Sequence, residues 1–243
     1  MAAMITLRRA EERHHDWHLN EEVWHTFHPE DHADAFAAGF GALVSLNEAR
    51  LSPGGGFAGQ SACDAEIITY VREGALANED SLGRSGVVHA GEFQRVTIGL
   101  GMRHSETNGS QTDWAHIFQI GLRPAEVELA SGYERKRFSA AQRRGGLCMV
   151  ASPDARRGTL RIHQDALMYS AILDPGQHVV HELPPGRRAW VHLVQGEAIL
   201  SDFVLTGGDG AGVTAERAVS LTARQETELL IFDLADPLPE YLS

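Results

Sequence analysis

The chain has little of what would place it in a disulfide-stapled, secreted or membrane-spanning class. Two cysteines, Cys63 and Cys148, among 243 residues cannot make a disulfide framework. No apolar run approaches the roughly 20 residues a membrane-spanning helix requires. The opening "MAAMITLRRAEERHHDWH" lacks the apolar core of a secretory signal, so a cytoplasmic location is expected. Positive charge is scarce: 21 Lys and Arg against 33 Asp and Glu leave a formal charge of −12. That balance argues against direct binding to nucleic acid or to anionic membranes. It leaves docking onto another protein open. Long helical periodicities are also few.

What is present is strand. "EIITYV" (66–71), "RVTI" (95–98), "HIFQIGL" (116–122), "YSAIL" (169–173), "WVHLV" (190–194) and "AILSDFVL" (198–205) are β-branched or aromatic runs of strand length. Between them lie turn signals such as "PGGG" (53–56), "HAGE" (89–92), "DPGQ" (174–177) and "TGGDGAG" (206–212). An internal echo sharpens the pattern. "TYVREGALANED" around Gly74 resembles "VHLVQGEAILSD" around Gly196, half the chain later. The expected architecture is all-β, two β-barrels in tandem: residues 1–123 with an N-terminal strap, a polar and basic linker over 124–146, and 147–243.

One stretch carries chemistry. In "GLGMRHSETN" (99–108), His104 and Glu106 stand two apart, so on a strand they point to one face. "GFAGQSACDAEIITYV" (56–71) reads as the neighbouring strand, with Gln60, Ala62, Asp64 and Glu66 in the same alternation. Imidazole and carboxylate ligands inside a small barrel suit divalent Fe, Ni, Cu or Mn. An amide and a methyl group stand where nitrogen ligands would be wanted.

"WHTF" (24–27), "GFGALVSLNEARLSPGGGF" (39–57), "EIITYVREGALANEDSLG" (66–83), "AGEFQRVTIGLGMRHSETN" (90–108), "SPDARRGTLRIHQDALMY" (152–169) and "LLIFDL" (229–234) together resemble the pirin family. Its members are bicupins, and its bacterial branch includes quercetin 2,3-dioxygenase-like proteins. The resemblance runs nearly end to end. It implies two cupin barrels packed face to face, with one metal, usually iron, in the N-terminal barrel and none in the other. The C-terminal segment "LTARQETELLIFDL" (221–234) has no histidine, which agrees.

The family holds its metal with a His-x-His pair and a His-x-Glu pair. The second pair maps onto His104 and Glu106. The first, six and four residues before Glu66, maps onto Gln60 and Ala62. Ala cannot coordinate, and a carboxamide oxygen is a weak ligand for these metals. Glu66 is a candidate replacement ligand, since the wider cupin superfamily uses a Glu just after its His pair. The resemblance therefore implies one of two functions. The first is a metal-poor, non-catalytic member that binds a small molecule in the N-terminal barrel or a protein partner, with Gln60, Ala62, His104, Glu106 and His116 lining the cavity and no cofactor. The alternative is a dioxygenase whose metal sits between His104, Glu106, Glu66 and Gln60, with Glu106 or Glu66 taking the flavonol hydroxyl proton. If Glu66 and Glu106 share a dry cavity, repulsion raises the pKa of one carboxyl.

Other features read as structural. His14, His15, His18, His25, His28 and His32 are irregularly spaced, and the family's strap suggests that His15, His18 and His25 hydrogen-bond against the first barrel. His163 is expected at an inter-barrel contact. The cluster Arg135, Lys136, Arg137, Arg143 and Arg144 is expected to be a solvated linker.

Overall fold

The computed structural model describes residues 4–61, 65–99 and 103–236, with 58–61 as backbone alone. The chain opens with β1 (Met4–Arg8), β2 (His14–His18) and β3 (Glu21–His25), followed by β4 (Leu43–Leu51) and β5 (Gly56–Ser61). After the undescribed residues 62–64 come β6 (Ala65–Glu73), β7 (Ala75–Asp80), β8 (Ser85–His89), β9 (Glu92–Ile98), β10 (Arg103–Asn108), β11 (Ala115–Leu122) and β12 (Gly132–Arg137). A short helix, α1 (Ala140–Arg143), leads into the second half. That half holds β13 (Cys148–Ser152), β14 (Leu160–Arg161), β15 (Ala166–Leu173), β16 (His178–Glu182) and β17 (Arg187–Gln195). It ends with β18 (Glu197–Leu200), β19 (Phe203–Thr206), β20 (Gly210–Thr214), β21 (Ala218–Ala223) and β22 (Thr227–Ala235).

Each half is a pair of facing sheets rather than one closed barrel. The N-terminal half pairs a seven-stranded sheet, β12-β9-β6-β11-β4-β3-β2, with a four-stranded one, β5-β10-β7-β8. The C-terminal half repeats this with β1-β20-β17-β22-β15-β13-β14 and β16-β21-β18-β19. The echo seen in the sequence is the turn that carries the chain from large sheet to small sheet. Gly74 (φ 77°) and Gly196 (φ 87°) make it in the left-handed region. A Cβ on Gly196 would also lie 2.2 Å from the Glu226 carbonyl oxygen, so only glycine fits.

The halves pack through the outer faces of their seven-stranded sheets. Tyr70, Phe93, Phe118 and Ile120 from the first meet Val150, Met168, Trp190, Leu230 and Phe232 from the second in one buried cluster. Central strands are therefore covered on both faces, one by their own half and one by the other. This is why β11 (AHIFQIGL) is buried at every position and shows no polar alternation. The strap contributes too. Phe27, Phe36 and Phe40 surround the Trp190 indole, with ring centroids 4.9, 5.1 and 5.5 Å away.

Three expectations need correction here. Two strands sit otherwise than the expected division suggests: the first half lends its opening strand to the second half's sheet, and the expected linker over 124–146 holds a strand of the first. β1 pairs with β20 in the C-terminal sheet (Met4 opposite Thr214, Arg8 opposite Gly210), and β12, from the supposed linker, pairs with β9 in the N-terminal sheet. Secondly, "TGGDGAG" is only partly a turn. Gly210 and Gly212 lie within β20, where a Cβ would fall 2.4 Å from the Trp190 ring and 2.7 Å from Phe40. Their lack of side chains makes the bed for those aromatics. Thirdly, the basic cluster is not all solvated. Arg143 is buried at 4% exposure, because a capping box between Ser139 and Gln142 turns α1 so that this arginine points inward.

Candidate functional site

Strand β10 alternates as expected: His104, Glu106 and Asn108 are buried, while Arg103 and Thr107 are exposed. It lies between β5 and β7. His104 stands opposite Gln60 on one side and Asp80 on the other, and Glu106 stands opposite Phe57 and Asn78. The ladder to β5 shifts register between His104 and Glu106. A bulge there is a common device for aiming side chains in a binding cavity. The side chain of Gln60 and all of Ala62 lie outside the described residues.

Glu106 reaches across the interior to the large sheet. Its Oε1 accepts from Thr69 Oγ1 at 3.2 Å and from Gln94 Nε2, and its Oε2 accepts from Gln119 Nε2 at 2.5 Å. Gln94 is itself held by Asn78 Nδ2 at 2.7 Å. The carboxyl is 1% exposed. Burial lifts its pKa above the ordinary value, outweighing the opposing pull of His104 and the three hydrogen bonds. His104 is buried at 5% exposure, and its Nδ1 has no hydrogen-bond partner. Beside it is a small, partly open space of about 30 Å³, lined by Asn78, Val96, His104 and Tyr133 among others.

Glu66 is not brought to this pair, and His116 does not line its cavity. The alternation read from Gln60 to Glu66 assumes one continuous strand. In the structure β5 and β6 belong to different sheets, so the phase is lost between them. On β6 it is Thr69 that faces the interior, while Glu66, at 0% exposure, faces the other half. Its carboxylate accepts from the His163 backbone N–H and meets His163 Nδ1, both at 2.8 Å, and accepts from Thr97 Oγ1 at 2.9 Å. Glu66 and His163 thus make an inter-half tie, and Glu66 does not repel Glu106. His116 likewise faces the interface, where its Nε2 meets Glu48 Oε1 at 2.8 Å and its Nδ1 meets Arg72.

The residues missed by sequence reasoning are Thr69, Gln94 and Gln119. A signal for one of them existed. "HIFQIGL" contains a lone Gln in a largely apolar strand, and a buried amide requires a polar partner.

Among the described residues this site offers a metal one imidazole and one carboxylate. Glu106 is oriented as a ligand could be, with three of about four lone-pair positions taken. His104 offers one imidazole. Asp80, opposite His104, is committed elsewhere: it accepts from Arg84 Nε at 2.6 Å and from the Leu82 and Arg84 backbone N–H groups. Burial raises the Asp80 pKa, but these bonds and the Arg84 charge outweigh it and hold the carboxyl below its usual range. Among the described residues no group of three or more His, Cys, Asp or Glu side chains could hold a metal ion. The C-terminal interior is apolar, built from residues such as Leu173, Val191, Leu193 and Ile231. No helix among the described residues is long and apolar enough to cross a membrane.

Comparison with known proteins agrees with the architecture. Residues 6–122 match the family profile "Pirin", and residues 149–234 match "Quercetinase C-terminal cupin domain". A protein of Escherichia coli K12 named quercetin 2,3-dioxygenase is 39% identical over 95% of this chain and 99% of its own. A pirin-like protein of Caulobacter vibrioides is 33% identical over 81% of this chain and 84% of its own. The crystal structure of the bacterial pirin YhhW from Escherichia coli, in complex with nickel(II), superposes with a TM-score of 0.90 at 38% identity. It covers 96% of this chain and 100% of that one.

Proposed function

The chain belongs to the pirin family, and from that premise we propose that it is a quercetinase-like bicupin without a tightly held transition metal, a cytoplasmic protein that binds a small molecule or a protein partner rather than cleaving flavonols. The observation that carries this reading is the donor set around β10. The family's first pair of histidines corresponds to Gln60 and Ala62, which leaves one imidazole, His104, and one hydrogen-bonded carboxylate, Glu106. Loss of an outer-shell partner alone costs about 10–100-fold in metal affinity, and two imidazole ligands are worth more than that.

The test is elemental analysis of freshly purified protein beside a Gln60→His/Ala62→His variant. The wild type is expected to carry well under one equivalent of metal and the variant about one. Glu106 is already oriented by Thr69, Gln94 and Gln119, and His104 has a ring nitrogen to spare. Stoichiometric metal in the wild type would overturn the reading.

A second reading, a metal-dependent dioxygenase, is favoured by one observation: the relative solved with nickel(II) matches over nearly the whole chain. In that reading His104 and Glu106 are the ligands that remain. The two readings separate in a turnover assay. The purified protein, reconstituted in turn with Fe(II), Ni(II), Cu(II) and Mn(II), is expected to cleave no measurable quercetin. Turnover that disappears in His104→Ala would restore the enzyme.

A further inference from the structure

The interface face of the N-terminal large sheet carries side chains in rows across its strands. One row, His15, Trp24, Glu48, Phe118 and Tyr70, is in register on β2, β3, β4, β11 and β6. The other half covers its inner end: the Phe118 ring lies 5.8 Å from that of His192, and Tyr70 donates to Glu228. The next row outward is Trp17, Glu22, Arg50, His116 and Glu73, again in register across the same five strands. This row floors an open groove of about 490 Å³, and Trp114, in the loop between β10 and β11, stands at its side. The volume is in the range of small-molecule sites.

Two properties set the groove apart. The chain has four tryptophans, and two of them are in this groove with Trp17 at 76% and Trp114 at 56% exposure. Indoles are ordinarily well covered. Neither ring is among the aromatic pairs of the described residues, where Trp24 and Trp190 both have partners. The second property is charge. Glu22 is hydrogen-bonded with His15 Nε2 at 3.2 Å, and Glu73 is paired with the Arg72 guanidinium. Arg50 makes no ion pair or side-chain hydrogen bond among the described residues. The groove thus holds one planar cation without a partner among these residues, the Arg50 guanidinium, in a protein whose formal charge is −12.

We propose that this groove binds a planar aromatic carboxylate, its carboxylate paired with the Arg50 guanidinium and its ring laid against the indoles of Trp17 and Trp114. A guanidinium fork matches a carboxylate in two parallel hydrogen bonds. Aromatic rings gain by offset or edge contact with an indole. An organic cation would meet Arg50 as a like charge and find Glu73 already paired and Glu22 hydrogen-bonded with His15. The site lies on the opposite face of the sheet from Glu106, and its occupancy does not depend on whether β10 holds a metal.

The probe is trans-cinnamate added to the ¹⁵N-labelled full chain, with cinnamamide as the uncharged control and acetate as the control without a ring. The four indole N–H signals are assigned with Trp17→Phe, Trp24→Phe and Trp114→Phe, the fourth being that of Trp190. The Trp17 and Trp114 signals are expected to move saturably, with a Kd below about 1 mM, while the buried Trp190 signal stays still. Arg50→Gln is expected to weaken binding about tenfold, cinnamamide to bind wild type about as weakly, and acetate not to shift either indole. The proposal fails if neither signal moves by about 10 mM cinnamate. It fails equally if Arg50→Gln or the amide leaves the affinity unchanged. Arg50 is exposed, so the variant is expected to keep the wild-type spectrum elsewhere.

Discussion

Replacing Glu228 with alanine is expected to lower the free energy of unfolding by about 3–5 kcal/mol, the range for breaking a buried ion pair from one side. Glu228 lies on β22 at 5% exposure and ties three elements together. Its Oε1 accepts from Tyr70 OH on β6 at 2.5 Å and from Arg143 Nη1 on α1 at 2.6 Å, and Arg72 Nε approaches its Oε2 to 3.4 Å. Arg143 also donates to Ser170 at 3.1 Å. Burial chiefly, and then the Glu228 charge, hold the Tyr70 hydroxyl well above its ordinary pKa, so it stays a donor. In the alanine variant the Arg143 charge stays in the interface without its carboxylate, and that uncompensated charge is the larger part of the cost. Urea denaturation of Glu228→Ala, Arg143→Leu and the Glu228→Leu/Arg143→Leu pair tests the account. The pair is expected to be less damaging than the sum of the single changes. A loss under about 1 kcal/mol in Glu228→Ala would mean that apolar packing alone holds the halves together.

How much of this was legible in the sequence differs by level. Strand content, the two-fold repeat and the pairing of His104 with Glu106 were legible because each is a local property: side-chain alternation, turn chemistry, or a spacing of two. The face of Glu66 was not. Alternation predicts a face only within one continuous strand, and the chain changes sheets between Ser61 and Ala65. The glutamines that hold Glu106 come from β9 and β11 in the opposite sheet, a relation no local pattern encodes. Arg143 was misread for a similar reason. A charge run looks like a solvated loop until the fold supplies a carboxylate on the far half, and Glu228 is 85 residues away.

The crossing of β1 into the second half's sheet ties the halves together by backbone pairing. β1 belongs by sequence to the first half and by pairing to the second, and β12 closes the first sheet from within the connection. The strap is fixed along its length as well. Arg9 pairs with Asp209 at 2.9 Å and Arg13 with Glu48 at 2.8 Å. The histidines of the strap take part. His15 stacks on Trp24 at 4.8 Å, and His25 meets Asn47 and Asp16, each at 3.1 Å, while His18 is exposed.

Stability is expected to fall as the pH drops below about 6.5, and replacing His192 with leucine is expected to remove that first loss. His192 sits on β17 at 0% exposure, with neither ring nitrogen hydrogen-bonded. Burial, with a smaller push from Arg13, brings its pKa down to about 3 from an ordinary value of 6.5. The unfolded chain therefore takes up a proton near pH 6.5 that the folded chain refuses until about pH 3. The contribution is fully present above 6.5 and is lost as the pH falls, at a limiting slope of about 1.4 kcal/mol per pH unit. Glu48 adds a later loss of the same sign. Burial raises its pKa, but hydrogen bonding and charge from His116 and Arg13 prevail and set it at about 2. Its stabilisation is lost from about pH 4.5 downward, the ordinary value for the unfolded chain. At pH 7.5 the leucine variant is expected to be more stable than wild type by about 1–3 kcal/mol, because two unsatisfied nitrogens leave the interface. By pH 5 the gap is expected to widen by about 2 kcal/mol. Parallel urea titrations of the two proteins between pH 7.5 and 5 measure the difference directly. A gap that stays constant with pH would mean that His192 is already charged, or already hydrated, inside the folded protein.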